Sequence, residues 1–218
     1  FIFLSSQAAM GPNPSGAPLD EDDPQRPISA YGASKSLAER ALQRFADRVP
    51  VTIVRPPWVY GPRDRDTLAF FRLAARGLRV VAAPRNQFSI VHVNNLVQGI
   101  RLAAESRLPG CRAYFLADGE GRPLENLLRL IGDAAGRRTI RVPLPVAVVA
   151  VAAAANEMAA AITGRPPLLG WRRVGEARHR FWTVSDRRAR EELGYRPHIT
   201  TEQGMAETAA WYRAEGGL

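Results

Sequence analysis

The stretch Ser29-Ala-Tyr31-Gly-Ala-Ser-Lys35 decides how the fold is predicted, and it contains the only lysine of the 218-residue chain. Every other basic side chain among the 30 is an arginine, so a lysine here indicates a need for its particular chemistry. A phenol is a poor base at neutral pH, whereas an ammonium a few ångströms away favours the phenolate. A compact, flexible ammonium approaches a phenol more closely than a broad guanidinium fork does. The pair therefore predicts a tyrosine that transfers protons.

Three other stretches stand around this one in a fixed order. They are residues 1–11 (FIFLSSQAAMG), 51–64 (VTIVRPPWVYGPRD) and 88–96 (FSIVHVNNL). The first is an apolar strand that ends in a serine pair, and Ser6 lies 25 residues before Tyr31. Each stretch is a weak signal by itself, but the ordered series is strong.

Together these stretches resemble the extended short-chain dehydrogenase/reductase superfamily, which is the NAD-dependent epimerase/dehydratase family. Within it they are most similar to the branch of 3β-hydroxysteroid dehydrogenases and dihydroflavonol reductases. The resemblance extends over essentially the whole chain, because residues 185–197 and Trp211-Tyr212 also look like the C-terminal segment of that group. It implies an α/β fold: the C-terminal part of a Rossmann-like doubly wound parallel sheet, plus a small mixed α/β substrate-binding cap.

The resemblance also implies a domain boundary. Residues 1–108 are expected to form the C-terminal half of the NAD(P)-binding Rossmann-like domain with the catalytic residues, and residues 109–218 mainly the substrate-binding cap with the C-terminal helices. The sequence has no glycine-rich turn of the G-x-x-G-x-x-G kind after an N-terminal strand, and such a turn holds a dinucleotide pyrophosphate at a helix N-terminus. We therefore expect the nucleotide-binding half to be missing, and these residues alone to be inactive.

Hydrophobic patterning and turn residues predict the individual elements. A buried parallel strand is expected at Phe1–Leu4, and a loop that covers the active site from Met10 to Pro27. Further strands are expected at Val51–Val54, Ser89–His92, Ala113–Leu116 and Thr139–Val142. Helices are expected at Ser29–Asp47, Asp66–Arg76, Asn94–Glu105, Leu124–Ala135 and Ser185–Leu193, in the alanine-rich stretch 142–162, and from Thr201 onward.

The family resemblance implies the catalytic residues Ser6, Tyr31 and Lys35. Tyr31 would be the general acid in reduction and the general base in oxidation. Lys35 would hold the phenol in its reactive state and bind the nicotinamide ribose, and Ser6 would polarise the substrate oxygen. Counting back from Gly11 and forward to Tyr31, as in the family, selects Ser6 over Ser5.

The resemblance also implies the binding residues. The cofactor, NAD or NADP, would contact Ser5, Tyr31, Lys35, Pro56 and Val59, with Ser5 in a structural place near it. The substrate would contact Ser6 and Phe88. Two further side chains of the motifs are assigned to the fold, since Arg55 is expected to pair within it and His92 to be a core histidine. An amide at Asn94 or Asn95 is expected to cap the following helix.

Phe88 carries the prediction of substrate class. Many nucleotide-sugar enzymes of this superfamily have an arginine here that meets the diphosphate, so phenylalanine favours a less charged alcohol or ketone that is sterol-, terpenoid- or flavonoid-like. The predicted function is hydride transfer between nicotinamide and that substrate. Three alternatives stay open: a nucleotide-sugar epimerase or dehydratase, a non-catalytic nucleotide-binding protein, and an inactive fragment. Dehydration is disfavoured because no Asp-Glu pair follows Ser6.

Composition excludes several other classes. The net charge of +9 and pI near 10.8 invite a nucleic-acid interpretation, but the arginines are scattered and form no stripe, so no nucleic-acid partner is expected. The single Cys111 and three scattered histidines predict neither a disulfide nor a metal site, and fit a reducing cytoplasm. Prolines and two polar residues interrupt the longest apolar run, residues 142–162, so no integral membrane span is expected. The expected partner is a small-molecule substrate, and the full-length protein is expected to be a homodimer.

Overall fold

The computed structural model describes residues 1–106, 108–145, 147–148, 151, 154 and 178–218. Among these residues the strands are β1 (Ile2–Leu4), β2 (Val51–Arg55), β3 (Trp58–Tyr60), β4 (Leu78–Val81), β5 (Gln87–Phe88), β6 (Ile90–His92), β7 (Cys111–Phe115), β8 (Arg122–Pro123), β9 (Ile140–Pro143) and β10 (Phe181–Trp182). The helices are α1 (Ala30–Gln43), α2 (Leu68–Ala75), α3 (Val93–Glu105), α4 (Leu124–Ala134), α5 (Arg187–Glu192) and α6 (Thr201–Ala214). The alternation of strands and helices is the predicted α/β fold. The predicted alanine-rich helix falls mostly outside the described residues.

The chain divides into two compact units, and each is built from separated segments. The first contains residues 1–61, 87–122 and 181–204, and the second contains residues 62–86, 123–180 and 205–218. The boundary expected at residue 108 stays a prediction. Strand β7, which follows that residue, lies in the first unit and pairs with β2.

The central sheet of the first unit has the strand order β1-β2-β7, and both pairings are parallel. Its middle strand is the β-branched run at Val51–Arg55, which is almost wholly buried, as the sequence predicts. The prediction of a buried β1 was wrong. Leu4 is 47% exposed, because β1 is the edge strand and only β2 pairs with it among the described residues.

The main core cluster of this unit lies behind the sheet. Helix α3 packs closely there, since a β-carbon on Gly99 would lie 2.5 Å from the Leu116 side chain. The cluster joins apolar residues of β2, β6, α3, β7 and α5, and of the segments that directly follow β7 and α5: Val54, Val91, Leu96, Ala103, Tyr114, Leu116, Ala189, Leu193 and Tyr195. Through Val54 and Tyr114 this cluster packs against the central sheet, and the loops that carry the candidate site residues follow the carboxyl ends of its strands.

Helix α3 begins at Val93 with His92 as the preceding residue, and neither asparagine caps it, contrary to prediction. The Asn95 amide instead donates to Asp118 (2.8 Å) and to the Ile199 main-chain oxygen (2.9 Å). Its oxygen accepts from the main-chain N–H groups of His198 and Ile199. Asn95 is fully buried, so it links three distant segments where we expected a helix cap.

The second unit is the smaller mixed part. Strands β4 and β9 pair in parallel, from Leu78 opposite Ile140 to Val81 opposite Pro143, and α2 and α4 pack against β4. Tyr212 anchors the C-terminal segment: its hydroxyl lies 3.0 Å from that of Thr67, and its ring meets Phe71 edge to face. Within the described part of the chain, no helix has the length and apolar character needed to cross a membrane.

Candidate active site

The Ser6 turn forms at the carboxyl end of β1. Ser6 is extended, and its hydroxyl accepts a hydrogen bond from the Ala8 N–H (3.1 Å), which caps a single 3-10 turn at Gln7–Ala9. The Gln7 N–H donates to the Pro56 oxygen (2.9 Å). The structure therefore brings Ser6 beside Pro56, where β2 ends, and in open α/β sheets ligands bind at this edge.

Helix α1 starts directly against this turn. The Ser29 hydroxyl accepts from the Gly32 N–H (3.0 Å) and caps the helix, as the sequence predicts for this region. Gly32 allows the close approach, because a β-carbon there would lie 2.2 Å from the Ala8 oxygen. Tyr31 precedes this contact point and is 41% exposed.

Lys35 joins the helix to the strand end. Its Nζ donates to the Leu4 oxygen at 2.9 Å and lies 5.9 Å from the centre of the Tyr31 ring and 5.0 Å from that of Phe3. Residues four apart in a helix face the same side, which explains the pairing with Tyr31. Tyr31, Lys35 and the Ser6 turn are thus gathered at the end of β1.

Ser5 points away from this group. It is buried, and its hydroxyl donates to the Glu39 carboxylate, whereas the Ser6 hydroxyl caps the turn, as alternation along a strand requires. The Ser5 hydroxyl therefore already has a partner inside the protein. The contact between Ser5 and a cofactor stays a prediction.

Val59 and Phe88, two further predicted binding residues, lie in β3 and β5 of the first unit. Val59, in β3, packs against the main core cluster and pairs with Val91 of β6. Phe88, in β5, meets Trp58 edge to face, with ring centres 6.0 Å apart and an interplanar angle of 77°. Both rings are partly exposed. Sequence reasoning missed Trp58, although its place directly after Pro56-Pro57 was a usable signal.

Arg55, which directly precedes Pro56, forms a buried ion pair with Glu39. The Arg55 Nη2 is 2.7 Å from a carboxylate oxygen of Glu39, and the pair is almost wholly excluded from solvent. This confirms that Arg55 pairs within the fold. Sequence reasoning missed Glu39, but its spacing of four residues after Lys35 on the same helix was a signal. His92 is likewise buried, in ring contact with Tyr60, as expected for a core histidine.

The loop before α1 is joined to residues 183–185 by main-chain hydrogen bonds. Leu19 donates its N–H to the Thr183 oxygen, and its own oxygen accepts from the Ser185 N–H, both at 2.9 Å. The loop surrounds a cavity of about 440 Å³. Its predicted role as a cover over the active site stays a prediction.

Glu21 of this loop has an unusual acidity. Burial raises its pKa to about 7, although the Phe115 N–H (2.9 Å) and nearby Arg188 act in the opposite direction. Its main-chain oxygen also accepts from Arg55 (3.0 Å). The acid is therefore part of the polar network beneath the strand ends. Across the described ranges, no group of three His, Cys, Asp or Glu side chains is arranged to hold a metal ion.

Comparison with known proteins identifies the family of the chain. The pattern described as the NAD dependent epimerase/dehydratase family matches residues 1–114. The chain belongs to this family, and the resemblance to extended short-chain dehydrogenases/reductases is confirmed.

Two relatives are reductases by name. Ceramide reductase of Caulobacter vibrioides is 30% identical over 221 residues, which span 100% of this chain and 63% of that protein. The 4-hydroxy-2-methyl-3-oxo-4-farnesyl-3,4-dihydroquinoline-1-oxide ketoreductase of Stigmatella aurantiaca is 31% identical, over 94% of this chain and 63% of the relative. The chain thus spans less than two thirds of the length of these relatives.

Solved structures give the same fold. The crystal structure of gox2253 has a TM-score of 0.76 and 28% identity, and the match covers 100% of this chain and 67% of that one. The UDP-glucuronic acid 4-epimerase of Bacillus cereus, in complex with UDP-glucuronic acid and NAD, has a TM-score of 0.73 at 16% identity, over 99% and 62% of the two chains. The predicted Rossmann-like α/β fold is confirmed.

Proposed function

We propose that this chain is the catalytic part of an NAD(P)-dependent oxidoreductase that interconverts a secondary alcohol and a ketone. The observation that carries the proposal is the position of Lys35. Its ammonium is fixed at 2.9 Å on the Leu4 oxygen and lies 5.9 Å from the Tyr31 ring, beside the Ser6 turn. A phenol, an ammonium and a hydroxyl at one strand end are the groups that proton transfer to a carbonyl oxygen requires.

In ketone reduction Tyr31 donates its phenolic proton to the substrate oxygen. The Ser6 hydroxyl, whose oxygen accepts the capping bond, donates its proton to that same oxygen and stabilises the charge that develops on it. Lys35 keeps positive charge beside the phenol and so stabilises the phenolate that remains. In alcohol oxidation the phenolate accepts the proton. The nicotinamide, when bound, supplies or accepts the hydride.

The residues present fit the nicotinamide-ribose end of such a cofactor. Lys35 and Tyr31 offer polar groups at a partly exposed strand end, and Pro56 lies directly beside the Ser6 turn. Two findings support NAD or NADP: the family description names NAD, and the Bacillus cereus relative binds it. The pyrophosphate would be held by a glycine-rich turn, which this sequence does not contain. We therefore assign no residue of the chain to it.

The substrate we propose is a lipophilic ketone or alcohol of the terpenoid, sterol or flavonoid kind. The paired rings of Trp58 and Phe88 offer apolar surface where a nucleotide-sugar enzyme needs positive charge for a diphosphate. The two reductase relatives, named for a ceramide and a farnesyl-bearing ketone, support this substrate class. We propose a small-molecule partner of this kind and no nucleic-acid partner.

A nucleotide-sugar epimerase is the second candidate function. The family description and the Bacillus cereus relative favour it. An epimerase removes a hydride and returns it to the opposite face, so the cofactor undergoes no net change. An oxidoreductase consumes the cofactor in proportion to product, and this difference separates the two proposals.

The test uses the full product of the gene that encodes these residues. It is mixed with NADH or NADPH and with lipophilic ketones or UDP-sugars, and cofactor consumption and product are measured. Oxidoreductase activity predicts stoichiometric cofactor loss with the ketones, and a fall of at least about 100-fold in kcat for Tyr31→Phe and Ser6→Ala. Leu37→Ala, at an exposed leucine on α1, is the control and should keep full activity. Sugar epimerisation without cofactor loss, or full activity of Tyr31→Phe, would refute the proposal.

A further inference from the structure

The buried carboxylate of Glu39 accepts hydrogen bonds from residues that lie next to the proposed site residues along the chain. It accepts from the Arg55 Nε (3.1 Å) and Nη2 (2.7 Å), and also from Ser5 and Gln25. Glu39 is 0% exposed. One side chain of α1 therefore holds the ends of β1 and β2 together with the loop that precedes its own helix.

The residues next to these partners are those of the proposed site. Ser5 precedes Ser6, and Arg55 precedes Pro56. Glu39 follows Lys35 by four residues, which is about one helical turn. A displacement of its carboxylate would therefore be passed to the Ser6 turn through β1, and to Lys35 and Tyr31 through rotation of α1.

Arg55 is itself fixed from several sides. Its Nη1 donates to the Glu21 oxygen (3.0 Å), and its guanidinium lies 5.8 Å from the centre of the Phe115 ring. Charge-assisted, forked hydrogen bonds of this kind fix angles as well as distances. The ion pair thus fixes the position of α1 relative to β2.

We propose that Glu39 is a positioning residue that, through Ser5 and Arg55, sets the orientation of Tyr31, Lys35 and Ser6. This inference rests on the proposed function of those three residues. It assigns Glu39 no contact with substrate or cofactor. Its role is to hold the phenol and the serine hydroxyl at a common distance from one substrate oxygen.

A purely stabilising ion pair and a positioning one respond differently to an apolar replacement. Removing one partner leaves a buried charge alone, but replacing both by similar apolar side chains often preserves folding. The decisive variant is therefore Glu39→Met with Arg55→Met in the full gene product. The matched control is Glu105→Met with Arg101→Met, an exposed ion pair on α3 at 3.9 Å.

We expect the buried double variant to unfold near the wild-type temperature but to lose about 100-fold in kcat, since small displacements of reacting groups have effects of this size. Its KM for the cofactor should stay within about 2-fold of wild type, because binding is kept while alignment is lost. The surface double variant should match wild type in each of these measurements.

Ser5→Ala is the second variant, and it decides the question if the double variant does not fold. It removes only the hydroxyl that joins β1 to Glu39, so kcat should fall about 10-fold. A folded variant of either kind with wild-type kcat would overturn the inference. Tyr31→Phe is measured in parallel: an active Tyr31→Phe defeats the proposed function itself, whereas an inactive one beside a fully active double variant defeats only the role of Glu39.

Discussion

Gly32 and the Ala8 main chain are in direct contact: a β-carbon on Gly32 would lie only 2.2 Å from the Ala8 oxygen. The start of α1 and the turn capped by Ser6 are consequently packed backbone to backbone. This contact sets the separation between the helix that carries Tyr31 and the strand end that carries Ser6.

Gly32→Ala should therefore separate these two elements. We expect the free energy of unfolding to fall by about 1–3 kcal/mol, because the added methyl group has only backbone to displace. Helix propensity acts in the opposite direction, since alanine is favoured over glycine within a helix. Urea unfolding measures the change. An unaltered midpoint in Gly32→Ala would contradict the close contact, and Ser34→Ala on the exposed face of α1 is the control.

Asn95 and Asn94 form a natural pair for a second prediction. Asn95 is buried with partners in two distant segments, whereas its neighbour Asn94 is exposed. Asn95→Ala should cost about 2–4 kcal/mol of unfolding free energy, because the Asp118 carboxylate and Ile199 main-chain groups lose their partner.

Asn94→Ala should change stability by less than about 0.5 kcal/mol. Chemical unfolding of both variants under one set of conditions is the measurement. Equal effects at the two positions would show that the linking role of Asn95 is wrong.

Glu21 predicts a pH-dependent stability. Its pKa is raised by burial to about 7, so the folded protein holds this proton more tightly than the unfolded chain does. The stabilisation is fully present below the pKa of the unfolded chain and is lost as the pH rises through about 7.

Between about pH 5 and pH 8, wild-type protein should therefore lose up to about 3 kcal/mol relative to Glu21→Gln. The amide keeps an oxygen for the Phe115 N–H but carries no charge to bury. Urea unfolding of both proteins across this range is the measurement. Glu120→Gln, at an exposed carboxyl, is the control and should follow wild type, and parallel curves for wild type and Glu21→Gln would contradict the prediction.

Local pattern was enough to predict most elements, and the resemblance to the superfamily implied the parallel α/β fold. The run at residues 51–54 is apolar and β-branched, and it is the central strand β2. Ser29 begins a helix because its short hydroxyl caps the first turn. The superfamily was predicted correctly because its motifs are short and have fixed spacing along the chain.

Long-range pairing could not be read in the same way. The buried role of Glu39 depends on Arg55 and Ser5, which approach it only after three segments have assembled. The exposure of Leu4 depends on which strand edges find partners, and the hydrophobicity of β1 carries no such information. Asn95 looked like a cap because helix-start residues and linking residues share the same amide chemistry. The roles of Ser6, Tyr31 and Lys35 stay predictions, although the structure gathers them at one strand end.

The free edge of β1 has a practical consequence for work with these residues in isolation. The main-chain donors and acceptors along Ile2–Leu4 have no second strand beside them in the described part of the chain, and the Lys35 ammonium covers the Leu4 oxygen at its end. Such an edge is a template for pairing with another chain. Purification of the bare chain should therefore be accompanied by a test for self-association.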